Sequence, residues 1–136
     1  MPLCLPTFLL LLGLANPAAR VAPAELSPFL RVITAGAGAP GRIACRDIDE
    51  AMQLKKDGLS PDAKAPVAWA ATPAQVKAYL AEGKLVVSGD PADFKAGASV
   101  VITREHGKAL MIIDSKNAAS SGVPLSDTLM KIARLQ

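Results

Sequence analysis

Aromatic rings are scarce in this chain: one Trp, one Tyr and three Phe in 136 residues, or 4%. A surface that stacks unpaired bases needs several exposed rings, so a single-stranded nucleic-acid platform is excluded on composition. Histidine is scarcer still, with His106 alone, and the two cysteines, Cys4 and Cys45, stand far apart. Neither residue type offers a pair at metal-ligand spacing, which leaves a zinc site without donors. Long charge runs are also missing. The formal charge of +3 and pI near 9.0 arise from cations interleaved with acids, a pattern that gives no phosphate-tracking arm and no nucleic-acid partner.

What is present is aliphatic. Residues of the AVILMFWYC set make up 51% of the chain, so a core of Val, Ile, Leu, Ala and Met can close without rings. A length of 136 residues fits one domain. No internal repeat, low-complexity segment or linker divides it.

The first residues read as an export signal. Phe8 to Leu14, FLLLLGL, has the length of a secretory apolar region, and Ala22-Pro23-Ala24 offers a small-residue cleavage site before Glu25. The run is shorter than the roughly 20 apolar residues of a bilayer-spanning helix. The expectation is a signal peptide over 1–24, a mature domain over 25–136, a periplasmic location and no membrane insertion after cleavage. Cys4 would leave with the signal. Cys45 would remain as a small buried hydrophobe with no intrachain partner.

Along the mature chain, Leu26, Phe29, Leu30 and Ile33 recur at helical spacing, with Ser27 and Pro28 placed as cap and first helical residue. Gly36 to Gly41, GAGAPG, has the spelling of a dinucleotide loop, but a helix precedes it and the strand candidate Arg42 to Cys45 follows. That is the reverse of the order phosphate binding requires, and no cofactor is expected. Asp47 and Glu50 cap a helix running to Asp57, with an apolar stripe of Ile48, Ala51, Met52 and Leu54 and a stop at Gly58. Ser60 to Ala65 reads as a polar connection and Pro66 to Ala71 as a second strand. Thr72-Pro73-Ala74-Gln75 combines a cap, a proline at the first helical position and a Gln three residues on, opening a helix that turns Val76, Tyr79 and Leu80 inward. Leu85 to Val87 is a third strand. Such strand–helix alternation points to parallel pairing through crossovers.

Beyond Asp90 the order changes. Asp90 to Gly97 is a loop, Ala98 to Arg104 and Ala109 to Ile113 are strands, and Glu105-His106-Gly107-Lys108 between them is a tight hairpin turn. Asp114 or Ser115 caps a short helix ending at Gly122, and Pro124 begins another with Leu125, Leu129, Ile132 and Ala133 on one face. The fold expected is one small three-layer α/β domain. Its mixed sheet has about five strands, three parallel and a C-terminal antiparallel hairpin.

Catalytic signatures are missing. No G-x-S-x-G, P-loop or H-E-x-x-H occurs, and His106 on a hairpin tip is a poor mount for a base. Asp90 and Asp93 fall short of the oxygen count calcium needs; they and His106 read as turn formers. The remaining candidate is Ser88 to Gly97, SGDPADFKAG, which follows a parallel strand where α/β proteins place their binding loops. Ser88, Asp90, Asp93, Phe94 and Lys95 are the candidate contact residues.

The stretch from Lys84 to Arg134 resembles the C-terminal part of the YfiR/HmsC-like family of exported bacterial proteins. The residues that carry the resemblance are Val86-Val87-Ser88, Phe94, Gly97-Ala98, Gly107-Lys108, Gly122, Leu125-Ser126, Leu129-Met130 and Ala133-Arg134; upstream only Ile43-Ala44-Cys45 corresponds. This chain is shorter than the family pattern, by one strand–helix unit, and lacks the cysteine pairs of some relatives. The resemblance implies a periplasmic α/β protein without enzymatic activity. It also implies contact with the periplasmic part of an inner-membrane signalling protein, a diguanylate cyclase in the characterised regulatory members. The alternative is a soluble envelope protein that binds a small ligand near Ser88 to Gly97. Homo-oligomerisation is open under either reading.

Overall fold

The structure, a computed structural model, describes residues 23–136; the signal-peptide reading of 1–24 falls almost wholly outside them. Seven strands are described: β1 (Arg42–Ile43), β2 (Ser60–Pro61), β3 (Val67–Ala70), β4 (Leu85–Ser88), β5 (Val100–Glu105), β6 (Lys108–Ile113) and β7 (Arg134–Leu135). The helices are α1 (Pro23–Gly36), α2 (Ile48–Lys56), α3 (Pro73–Ala81), α4 (Ser115–Ser121) and α5 (Asp127–Ile132), with a short 3-10 helix over Pro91–Phe94. Among the described residues no helix is long and apolar enough to cross a membrane.

Five strands form the main sheet in the order β3-β4-β5-β6-β7. Pairing is parallel at β3–β4, β4–β5 and β6–β7 and antiparallel only in the β5–β6 hairpin. This is the small mixed α/β sheet read from the sequence. The parallel trio is shifted by one strand, however. Arg42–Ile43 pairs with Ser60–Pro61 in a separate two-stranded ribbon and touches the main sheet through a single bridge, Ala44 to Ala68. The supposed polar connection over 60–65 thus supplies a strand. Its backbone is engaged by Ser60 N donating to the Gly41 carbonyl at 2.7 Å and Asp62 N donating to that of Ile43 at 2.8 Å.

Because strand side chains alternate, the sheet buries two different faces. One carries Val67, Trp69, Leu85, Val87, Val100, Ile102, Met111 and Ile113 against Leu26, Leu30 and Ile33 of α1, Leu54 of α2, Ala118 of α4 and Leu129 of α5. The other carries Ala68, Ala70 and Val86 against Val76 and Tyr79 of α3. Small alanines on this second face let α3 approach closely. Large aliphatics fill the first, where four helices converge.

The helix starts follow their caps. Asp47 accepts from Glu50 N, Thr72 from Gln75 N, Asp114 from Asn117 N and Ser126 from Leu129 N, each satisfying an amide that the first turn leaves open. In two places the expected boundary moves. The first helix begins at Pro23, so Pro28 lies within it rather than at its start; its exposed ring projects outward and the helix continues on the strength of Leu26, Leu30 and Ile33 packing. The last helix begins at Asp127, because Ser126 and not Pro124 provides the cap.

The stripe assigned to α2 also needs correction. Leu54 is buried, but Ile48 and Met52 are 75% and 58% exposed. The face that docks carries Glu50 instead, whose carboxylate accepts from the Trp69 indole N–H at 3.1 Å. Glu50 and Leu54, four residues apart, share the helical face turned to the sheet, and there the buried indole N–H finds its acceptor. Ile132 of α5, also assigned to a buried stripe, is 59% exposed.

At the hairpin, His106 has φ 51° and Gly107 φ 78°, the left-handed pair of a two-residue turn matched to strand twist. Arg104 anchors the tip through the Gly107 carbonyl at 3.1 Å and pairs with Glu25 at the start of α1.

Candidate functional site

The segment after β4 is not a loose loop. Asp90 opens it as an Asx cap, its side chain accepting from Ala92 N at 2.9 Å, and Pro91–Phe94 coil into the 3-10 turn. Inside, Ser88 and Asp93 are 1% and 5% exposed, and the Ser88 hydroxyl donates to the Asp93 carboxylate. The same hydroxyl oxygen accepts from Asp90 N at 3.1 Å. Asp93 is therefore a buried brace rather than a surface turn former, which its exposed-looking neighbours in DPADFK concealed.

A second clamp comes from α4. The Asn117 side-chain amide donates to the Phe94 carbonyl at 3.1 Å and to the Ala98 carbonyl at 2.9 Å, tying the end of the 3-10 turn and the residue just past the segment to one helix. Gly97, at φ 113°, passes against Leu80; a Cβ there would run into the leucine side chain. Of the five candidate residues, Asp90 and Lys95 are exposed, Phe94 is half-buried, and Ser88 and Asp93 are internal. The structure thus brings them together but divides them. Ser88 and Asp93 hold the segment, while Asp90, Pro91, Ala92 and Lys95 are presented at its surface.

The glycine-rich turn after α1 has its amides engaged within the protein. Ala37 N, Gly38 N and Ala39 N donate to the carbonyls of Ile33, Ala35 and Thr34, and Gly41 N donates to the buried Thr34 hydroxyl at 2.9 Å. It is a helix terminus feeding β1.

Sequence reasoning missed a cleft beside the bridge that joins the β1 ribbon to the main sheet. It encloses about 450 Å³ and is lined by Ala44, Cys45, Arg46, Pro61, Asp62, Ala63, Tyr79 and Glu82. The backbone N–H of Arg46 donates to the Tyr79 hydroxyl at 2.7 Å, its guanidinium lies 5.0 Å from the Tyr79 ring centroid, and it pairs with the Glu82 carboxylate. Burial raises the Tyr79 phenol and pushes the Cys45 thiol up to about 11, so the thiol is uncharged at neutral pH. Asp62 also lines the cleft, and the Lys64 backbone N–H and the Arg42 guanidinium both hold its carboxyl below its usual range. Beneath Ala63, the buried Lys84 ammonium donates to the Ala63 and Ala65 carbonyls at 2.9 and 2.6 Å. The only sequence sign of this site was the charge of Arg46 and Glu82, 36 residues apart, which no local periodicity connects.

A smaller cleft is lined by Leu26, Glu50, Gln53, Leu54 and Trp69. Among the described residues no cluster of three or more His, Cys, Asp or Glu side chains is placed to hold a metal ion. No family model matches the chain, and no curated protein matches it.

Proposed function

We propose that this protein is a non-enzymatic binding or regulatory module of the bacterial envelope, exported to the periplasm. It acts by contact with the periplasmic part of an inner-membrane signalling protein, of which a diguanylate cyclase is the example the YfiR/HmsC-like resemblance suggests. The observation that carries the contact reading is the braced segment from Ser88 to Gly97. Its buried Ser88–Asp93 hydrogen bond and the Asn117 clamp hold Asp90, Pro91, Ala92 and Lys95 in one conformation at the surface.

A surface set in advance loses less conformational entropy on association than a free loop would, so more of its contact energy appears as affinity. Asp90 and Lys95 also give the segment one charge of each sign, which favours a partner with complementary charges and a defined register.

The test is capture from bacterial envelope extracts with the full chain as bait, run beside a charge-reversed Asp90→Lys/Lys95→Glu variant. Recovery of an inner-membrane signalling protein by the wild type and its loss with the variant supports the reading. Equal recovery by both, or none above background, refutes it.

A further inference from the structure

The cleft beside β1 has no part in the contact reading, and its chemistry is specific. Its one lining cation, Arg46, is paired with Glu82 and stands over the Tyr79 ring, yet the two side chains remain 48% and 38% exposed. An ion pair this exposed is weak and screened, so it opens readily. Asp62, also in the lining, is already engaged by Arg42 and by the Lys64 amide. Lys84 is engaged by two carbonyls. The groups left to receive a ligand are therefore the two halves of the Arg46–Glu82 pair and the neutral wall of Ala44, Cys45 and Pro61, while the buried Tyr79 ring backs Arg46.

A ligand of one charge would engage one half of that pair and leave the other without its partner. A ligand carrying both charges replaces both interactions. We propose that this cleft binds a small zwitterion of the amino-acid class between the separated Arg46 and Glu82 side chains. The ligand carboxylate meets the Arg46 guanidinium in the forked geometry that arginine offers, and its ammonium meets the Glu82 carboxylate. At about 450 Å³ the space is within the range of small-molecule sites, and Cys45 contributes an uncharged surface to it.

Isothermal titration of the full chain with glycine, L-arginine and L-glutamate, against acetate and methylammonium as single-charge controls, tests this directly. At least one zwitterion is expected to saturate the wild type, with both controls about tenfold weaker or more, as expected when one of two charge-assisted contacts is lost. Arg46→Gln and Glu82→Gln, both at exposed positions, are expected to weaken that binding by about tenfold each while leaving the unfolding midpoint near the wild-type value. Asp90→Lys/Lys95→Glu should bind the zwitterion as the wild type does, so this result and that of the envelope capture stand independently. The proposal is overturned if no zwitterion binds, if acetate or methylammonium binds equally well, or if either Gln variant retains wild-type affinity.

Discussion

Replacing Asp93 by Ala examines the brace beneath the candidate contact segment. The carboxylate is 5% exposed and receives the Ser88 hydroxyl, which is 1% exposed. Truncation removes a hydrogen bond to a charged acceptor and strands a hydroxyl hydrogen away from water. Hydrogen bonds to charged groups contribute about 1.5–3 kcal/mol, and a stranded buried donor costs about 1–3 kcal/mol, two overlapping accounts of one loss. We expect Asp93→Ala to destabilise the domain by about 2 kcal/mol, a fall in Tm of about 8 °C for a domain near this size. Ser88→Ala removes the donor to the buried Asp93 carboxylate and the acceptor for Asp90 N together, so its cost should be at least as large, about 2–3 kcal/mol. The double variant should cost less than the sum, with a coupling of about 1 kcal/mol. Urea unfolding monitored by Trp69 fluorescence measures all three, and amide exchange over Ala92 to Gly97 should rise selectively in Asp93→Ala. A loss below about 0.5 kcal/mol, or additive single effects, would refute the assignment of Ser88 and Asp93 as a coupled internal brace.

Other outcomes follow from the same geometry. Gly97→Ala places a Cβ at φ 113° against Leu80 and should destabilise by about 1–3 kcal/mol, read from the urea midpoint; a neutral effect would contradict the close approach. Ile48→Glu and Met52→Glu, at positions 75% and 58% exposed, should each change stability by no more than about 0.5 kcal/mol, whereas a buried stripe would unfold. Cys45, its thiol raised to about 11 mainly by burial, should react with iodoacetamide at pH 8 far more slowly in the native than in the urea-unfolded chain, as measured by peptide mapping at that residue. The sign of its pH linkage is also set. The unfolded thiol ionises at lower pH than the folded one, so its contribution is complete below the unfolded value and is lost as pH rises through about 11. Asp62 and Glu105 are shifted the other way, by hydrogen bonds from the Lys64 amide and Arg42 and from Arg134 respectively. Their contributions are present above the unfolded carboxylate values and vanish as pH falls through the depressed folded ones, which carboxyl NMR titrations of the native protein should register as low midpoints.

Local chemistry made much of the fold legible. Asp47, Thr72 and Asp114 name their helices because a side-chain acceptor before an amphipathic run has one obvious use, and His106-Gly107 names its turn by its backbone freedom. The runs LVVS and VVIT declare buried strands by their continuous apolar character. Where the reading shifted, a long-range contact decided. Ser60–Pro61 carries no strand signal and is extended because Gly41 and Ile43 engage its backbone. Ile48 and Met52 share a helical stripe with Leu54 only on paper; α2 docks on the face that carries Leu54 and Glu50, where Glu50 accepts from the Trp69 indole. The candidate segment was visible as a loop after a strand, but its internal division was not. Asp93 looks solvent-exposed in sequence, and only the partner at Ser88 and the clamp from Asn117 show what holds the segment. The cleft of Arg46, Tyr79 and Glu82 was invisible for a similar reason, since it forms where three separated segments meet.

The central claim is recognition through the braced segment, and envelope capture with wild-type and Asp90→Lys/Lys95→Glu baits measures it most directly. The account predicts that the wild type recovers an inner-membrane signalling protein with a periplasmic domain and that the charge-reversed variant, which also gives up the Asp90 cap on Ala92 N, does not. Equal recovery by both baits, or recovery of no such protein by the wild type, would contradict it.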